Sequence, residues 1–117
     1  MKLNKSEYEE QKELVMILRY HCILFCAVPN AAKRSPALAN MLKASGMSAG
    51  VPDILIFEPI TDPLVRGIAI EMKSEKGRAS EEQINWLAAL ERAGWVTRIC
   101  YGCDEAIDFL RLLGFKL

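Results

Sequence analysis

The sequence predicts an α/β protein: a four-stranded mixed β-sheet flanked by helices on both faces. Three observations predict it. Two short apolar runs, Ile54-Leu55-Ile56-Phe57 and Ile68-Ala69-Ile70-Glu71-Met72-Lys73, flank a link rich in Pro, Asp and Gly at 58–67, the pattern of a β-hairpin. Helical periodicity recurs before, between and after the strand-like runs. A strand–helix–strand order closes the chain, which implies a parallel crossover and makes the sheet mixed.

Taken in order, residues 5–20 read as a helix, with Leu14, Val15, Met16, Ile17 and Leu18 supplying an apolar side near its end. Cys22 to Val28 reads as the first strand, stopped by Pro29-Asn30. Residues 31–49 form a polar, Ala-rich insertion with a short helix from about Ala37 to Ala44 and Gly46 as its stop. The hairpin strands are Val51 to Phe57 and Val65 to Lys73. Glu75-Lys76-Gly77-Arg78-Ala79 is a basic loop. Ser80 with Gln83 three residues on is a capping box, and the helix it opens ends at Gly94. Trp95 to Tyr101 is the fourth strand. A last helix begins at Cys103 or Asp104, carries Ile107, Leu110 and Leu113, and stops at Gly114.

The 117 residues suffice for one domain, 1–117, and a hydrophobic content of 51% supplies a core for it. No apolar run is long enough to span a membrane. The N-terminus leads into a polar helix rather than an apolar signal core, so the expected setting is the cytoplasm. The 15 Lys+Arg balance 15 Asp+Glu; net charge neither announces nor excludes a nucleic-acid partner, because local patches set the field. Basic residues recur at Lys33, Arg34, Lys43, Lys73, Lys76 and Arg78, where they can contact phosphates or keep loops soluble.

The chemistry concentrates in the hairpin. Asp53 opens its first strand, and Glu71 and Lys73 stand two apart near the end of the second, so they share a face. Two carboxylates and an ammonium converge at one end of the sheet. Such carboxylates hold Mg²⁺, a hard cation that prefers oxygen, and a divalent ion polarises a phosphoryl oxygen and lowers the pKa of a bound water. A surface salt bridge would show the same Glu-x-Lys. On the first helix Glu7 and Gln11 fall in line with Leu14 and Leu18. They lie either toward a metal site or, with Glu9, Glu10 and Glu13, on a solvated face that also suits the helix dipole.

Pro52-Asp53 followed by Glu71-Met72-Lys73 resembles the PD-(D/E)xK nuclease signature. The finer resemblance, over nearly the whole chain, is to the virus-type replication-repair nuclease (VRR-NUC) domain. It is carried by Ser6-Glu7 with Gln11, Gly50-Val51-Pro52-Asp53, Ile70-Glu71-Met72-Lys73, Gly77-Arg78-Ala79-Ser80 with Gln83, and the Gly94 turn. The resemblance implies a restriction-endonuclease-like core of phage or bacterial type. It implies a Mg²⁺- or Mn²⁺-dependent endonuclease of DNA repair, acting on branched DNA and resolving four-way (Holliday) junctions as a homodimer. By position, Asp53 and Glu71 would bind the metal, with the backbone carbonyl of Met72. Glu7, or else Glu10, would reach it from the first helix. Lys73 would position the attacking water and Gln83 would orient the site. Lys33, Arg34, Lys76 and Arg78 are the candidate DNA contacts.

Two further readings compete. A non-catalytic module could use the same fold, since fold alone does not set function. A zinc-binding module could use Cys100-x-x-Cys103 with Cys22-x3-Cys26, although Cys22 and Cys26 sit in a strand-like run where free Cys behaves as a small hydrophobe. For a homodimer, Trp86, Trp95, Phe109, Leu112, Phe115 and Leu117 are the expected apolar surplus.

Overall fold

The computed structural model describes residues 5–29 and 34–117. Its elements are α1 (Glu7–Tyr20), β1 (Phe25–Ala27), α2 (Pro36–Ala44), β2 (Ile54–Ile56), β3 (Ile68–Lys73), α3 (Glu81–Arg92), β4 (Val96–Tyr101) and α4 (Cys103–Leu112). The sheet runs β1-β2-β3-β4. β1 and β2, and β2 and β3, pair antiparallel, while β3 and β4 pair parallel across the α3 crossover. This is the mixed four-stranded α/β sheet that the element order predicts.

The pleat of β3 sorts the two layers. Ile68, Ile70 and Met72 join Leu14 and Leu18 of α1, Ile54 and Ile56 of β2, Cys100 of β4, and Cys103, Ala106, Ile107, Phe109 and Leu110 of α4 in one core. Thus α1 and α4 pack together on that face. The alternate residues Ala69, Glu71 and Lys73 point the other way, where α3 packs on β3 and β4. β3 is buried along its whole length, so its two polar residues, Glu71 and Lys73, are sequestered with it.

All four helices end alike. At each C-terminus the second residue past the last turn bonds back five residues and the first bonds back within the turn: Met47 N–H to Leu42 O at 2.9 Å, Trp95 to Leu90 at 2.9 Å, Phe115 to Leu110 at 3.1 Å, and Ile23 to Leu18 at 3.0 Å. This is the Schellman motif, which places one residue in the left-handed region. Glycine holds that place after three helices, at Gly46, Gly94 and Gly114. After α1 it is Cys22, with φ 55°.

That explains a correction. Cys22 to Val28 is not one strand: Cys22 and Ile23 finish the helix, and the strand at the sheet edge is Phe25–Ala27, with Leu24 and Val28 each adding a backbone bond at its ends. Cys22 and Cys26 are consequently exposed rather than acting as small core hydrophobes, whereas Cys100 and Cys103 are buried. The hairpin strands are also shorter than expected. Arg66 N–H and Gly67 O bond Gly94 and Val96 at 3.0 Å, so the chain before Ile68 pairs with the segment leading into β4 rather than with β2.

The expected apolar surplus is mostly used within the fold. Phe109 is core, Phe115 and Leu117 pack on it, and Trp95 lies over Gly67, where a Cβ would come within 2.5 Å of the ring, with Phe57 edge-on to it. Leu112, by contrast, is exposed. No helix among the described residues is long and apolar enough to cross a membrane.

Candidate active site

Asp53 immediately precedes β2, and the antiparallel register that sets Ile54 against Ile70 brings it opposite Glu71. Its Oδ2 accepts from the Met72 backbone N–H at 2.7 Å, and its own carbonyl accepts from Val28 N–H at 2.8 Å. Asp53 is therefore held from both neighbouring strands. Glu7, at the first turn of α1, completes the group: one carboxylate oxygen from each of Glu7, Asp53 and Glu71 lies within 4.8 Å of the others.

Glu71 is the most constrained member. It is 1% exposed. Its Oε2 accepts from Gln83 Nε2 at 3.3 Å and lies 3.4 Å from Lys73 Nζ. Its Oε1 is buried with no hydrogen-bond partner among the described residues. Burial, and then the neighbouring Asp53 carboxylate, push this carboxyl up to about 8 against the downward pull of Lys73. A carboxylate oxygen left without a donor inside a fold is costly, unless a cation normally faces it.

Gln83 carries two tasks at once. Its Oε1 accepts from Ser80 N–H at 2.8 Å while Ser80 Oγ accepts from Gln83 N–H at 3.2 Å, the capping box of α3. Because the cap engages the amide oxygen, the amide nitrogen is the end presented to Glu71. The capping function and a place beside Glu71 are therefore compatible.

Gly50 permits this approach. Its φ is +88°, and a Cβ there would fall 2.6 Å from Glu82 C and 2.8 Å from Gln83 N. The backbone before Asp53 thus lies directly on the first turn of α3, and any side chain at 50 would separate Gln83 from the carboxylates.

The two glutamates of α1 part company. Glu10 points to α4, where its Oε2 accepts from Cys103 N–H. α4 begins at Gly102, which has no side chain to cap it, so a carboxylate from another helix supplies the acceptor and the favourable charge. Glu7 is the one placed with Asp53 and Glu71.

Among the other expected contacts, Lys76 and Arg78 are exposed in the loop beyond Lys73, and Arg34 is half-buried, its guanidinium 2.9 Å from Met47 Sδ. Lys33 lies outside the described residues. The cysteines do not form a metal-holding group: among the described residues the candidate cluster is the carboxylate one. Burial, first of all, pushes both the Cys100 and Cys103 thiols up to about 12, the opposite of what a zinc ligand needs.

Sequence reasoning missed Tyr8 and Lys12, which line a groove opening beside Asp53. Their signal was available: they lie next to Glu7 and Gln11 and repeat the same spacing of four along α1.

Comparisons with known proteins agree with this architecture. The VRR-NUC domain model matches residues 5–104. A solved structure titled "VRR_NUC domain protein" is similar with a TM-score of 0.75 and 20% sequence identity, over 95% of this chain and 89% of that one. No curated protein matches the sequence.

Proposed function

The chain belongs to the VRR-NUC family, nuclease domains of restriction-endonuclease-like fold that are generally divalent-metal dependent, and from that premise we propose that it is a Mg²⁺- or Mn²⁺-dependent endonuclease of branched DNA. The observation that carries this reading is the buried, unpartnered Glu71 Oε1 within the Glu7–Asp53–Glu71 group. An all-oxygen donor set with one oxygen awaiting a positive partner fits a hard cation.

Glu7, Asp53 and Glu71 would hold the ion, with the Met72 carbonyl beside them. Bound there, it would supply Lewis-acid polarisation of a phosphoryl oxygen and a lowered pKa for water. The chain's own groups do the rest. Gln83 fixes the Glu71 carboxylate from α3. Lys73, at the end of β3, orients the attacking water and offers positive charge to the phosphate as negative charge develops. Water attacks phosphorus in line with the leaving 3′ oxygen, the P–O3′ bond breaks, and the products are a 5′ phosphate and a 3′ hydroxyl. Lys76 and Arg78, exposed beside Lys73, suit backbone contacts, so recognition follows DNA shape rather than base sequence, with affinity falling as salt rises.

Resolution of a four-way junction needs two opposed cuts, and a two-fold homodimer would present two such sites. Labelled duplex, flap, splayed-arm and four-way DNAs, each with Mg²⁺ or Mn²⁺, test the substrate class. Sedimentation with a cruciform plasmid tests paired cutting; a monomer that only nicks would remove the junction-resolving part. Asp53→Asn keeps an acceptor for Met72 N–H but removes a charge, so we expect cleavage to vanish while the circular dichroism spectrum persists. Unaltered turnover in that variant would defeat the assignment.

A further inference from the structure

The acidic group opens onto a groove. From Asp53 a channel of about 580 Å³ runs between α1 and the end of β1, walled by Tyr8, Lys12 and Val15 on one side and Val28 and Pro29 on the other. Tyr8 and Lys12 are four residues apart on a helix, hence neighbours on one face. Neither serves the core, since the buried residues of α1 are Leu14 and Leu18. Tyr8 is 73% exposed, and among the described residues its ring packs on no other ring. Lys12 is exposed and makes no ion pair among the described residues.

An open aromatic face, apolar walls and one ammonium, contiguous with carboxylates placed for phosphodiester cleavage, match the parts of a single nucleotide. The base is flat and apolar on its faces; its phosphate is anionic. A base inside a duplex is already stacked on both sides and cannot enter, whereas an unpaired one has a face to offer, and aromatic stacking is tolerant of base identity. The volume is that of a small-ligand pocket. Resting on the nuclease reading above, we propose that this groove takes one unpaired nucleotide beside the scissile phosphate, its base stacked on Tyr8 and its phosphate held by Lys12. Preference for branched DNA then arises at the site itself, because branch points supply unpaired nucleotides.

The test uses the full chain and splayed-arm DNA carrying 2-aminopurine at the unpaired positions next to the fork, with a continuous duplex of the same sequence for comparison. In the Asp53→Asn background, binding quenches the fluorophore as it stacks. Adding Tyr8→Ala should abolish the quench and weaken splayed-arm binding about tenfold or more, with a smaller loss on duplex. Tyr8→Phe should restore both, because the ring and not the hydroxyl is used. Lys12→Ala should lower the salt dependence of binding by about one phosphate contact. In the otherwise wild-type chain the Tyr8→Ala defect should fall on KM more than on kcat. Because Tyr8 is exposed, the variant is expected to fold, and circular dichroism verifies it. A folded Tyr8→Ala protein that quenches, binds and cuts splayed arms like wild type would overturn the groove assignment and leave the nuclease reading intact. A wild-type protein that cuts none of these DNAs with Mg²⁺ or Mn²⁺ would overturn the nuclease reading, and the groove assignment with it.

Discussion

Replacing Glu71 by Gln should stabilise the metal-free protein at alkaline pH, although it removes a group proposed for catalysis. In the unfolded chain this carboxyl titrates near its ordinary value of 4.5; in the fold, burial and then Asp53 hold its proton until about 8. The folded state thus binds that proton more tightly. Below 4.5 both states are protonated and the stabilisation is complete. As pH rises from 4.5 the unfolded state releases its proton first, and stability falls until the folded carboxyl ionises near 8. At 1.36 kcal/mol per pH unit the interval amounts to at most about 5 kcal/mol. Glutamine keeps the shape and cannot ionise, so it escapes the loss. For a chain of this length about 1 kcal/mol moves Tm by about 4 °C, and half the ceiling corresponds to roughly 10 °C. Thermal melts in EDTA from pH 4.5 to 9 measure it: the two proteins should melt alike at pH 4.5, and the wild type should fall about 10 °C below Glu71→Gln by pH 9. Mn²⁺ at pH 8 should then raise wild-type Tm more than that of the variant. Parallel melting curves across the range would refute the argument that a buried charge without a cation destabilises this site.

Lys73→Ala should lower cleavage by a large factor and metal affinity much less, since Lys73 is proposed to act on water and phosphate; an equal loss in titration calorimetry would contradict that role. Gly50→Ala should cost about 2 kcal/mol or more, because φ is +88° and the new methyl meets the α3 backbone at 2.6 Å; denaturant unfolding reads the stability, and cleavage should fall as Gln83 is displaced. Glu10→Ala should cost about 1 kcal/mol through loss of the α4 cap, with cleavage surviving at temperatures well below the melt, whereas Glu7→Ala should lose cleavage with a smaller change in stability. Equal cleavage defects in the two variants would overturn the division of labour on α1.

Two local rules made most of this chain legible as sequence. Side-chain alternation put Glu71 and Lys73 on one face of a strand, and the capping box and terminal glycines bounded the third helix and stopped the second and fourth. Pro52-Asp53 with Glu71-Met72-Lys73 marked the site for the same reason, because its spacing is written within a hairpin. The misses arose where a local signal was absent or ambiguous. Cys22 ends α1 in the conformation that glycine usually takes, so the apolar run after it looked like a longer strand. Whether Glu7 or Glu10 faced the carboxylates depended on where the start of α4 lies, 93 residues beyond Glu10 at Cys103. Gln83 both caps α3 and bonds Glu71 because Gly50, distant in sequence, lets the two backbones touch. Sequence periodicity determined the elements and their faces, since both follow from bonds between near neighbours. Only the tertiary structure decided which carboxylates share a site and which serve as caps, since that depends on the packing of helices and strands from opposite ends of the chain.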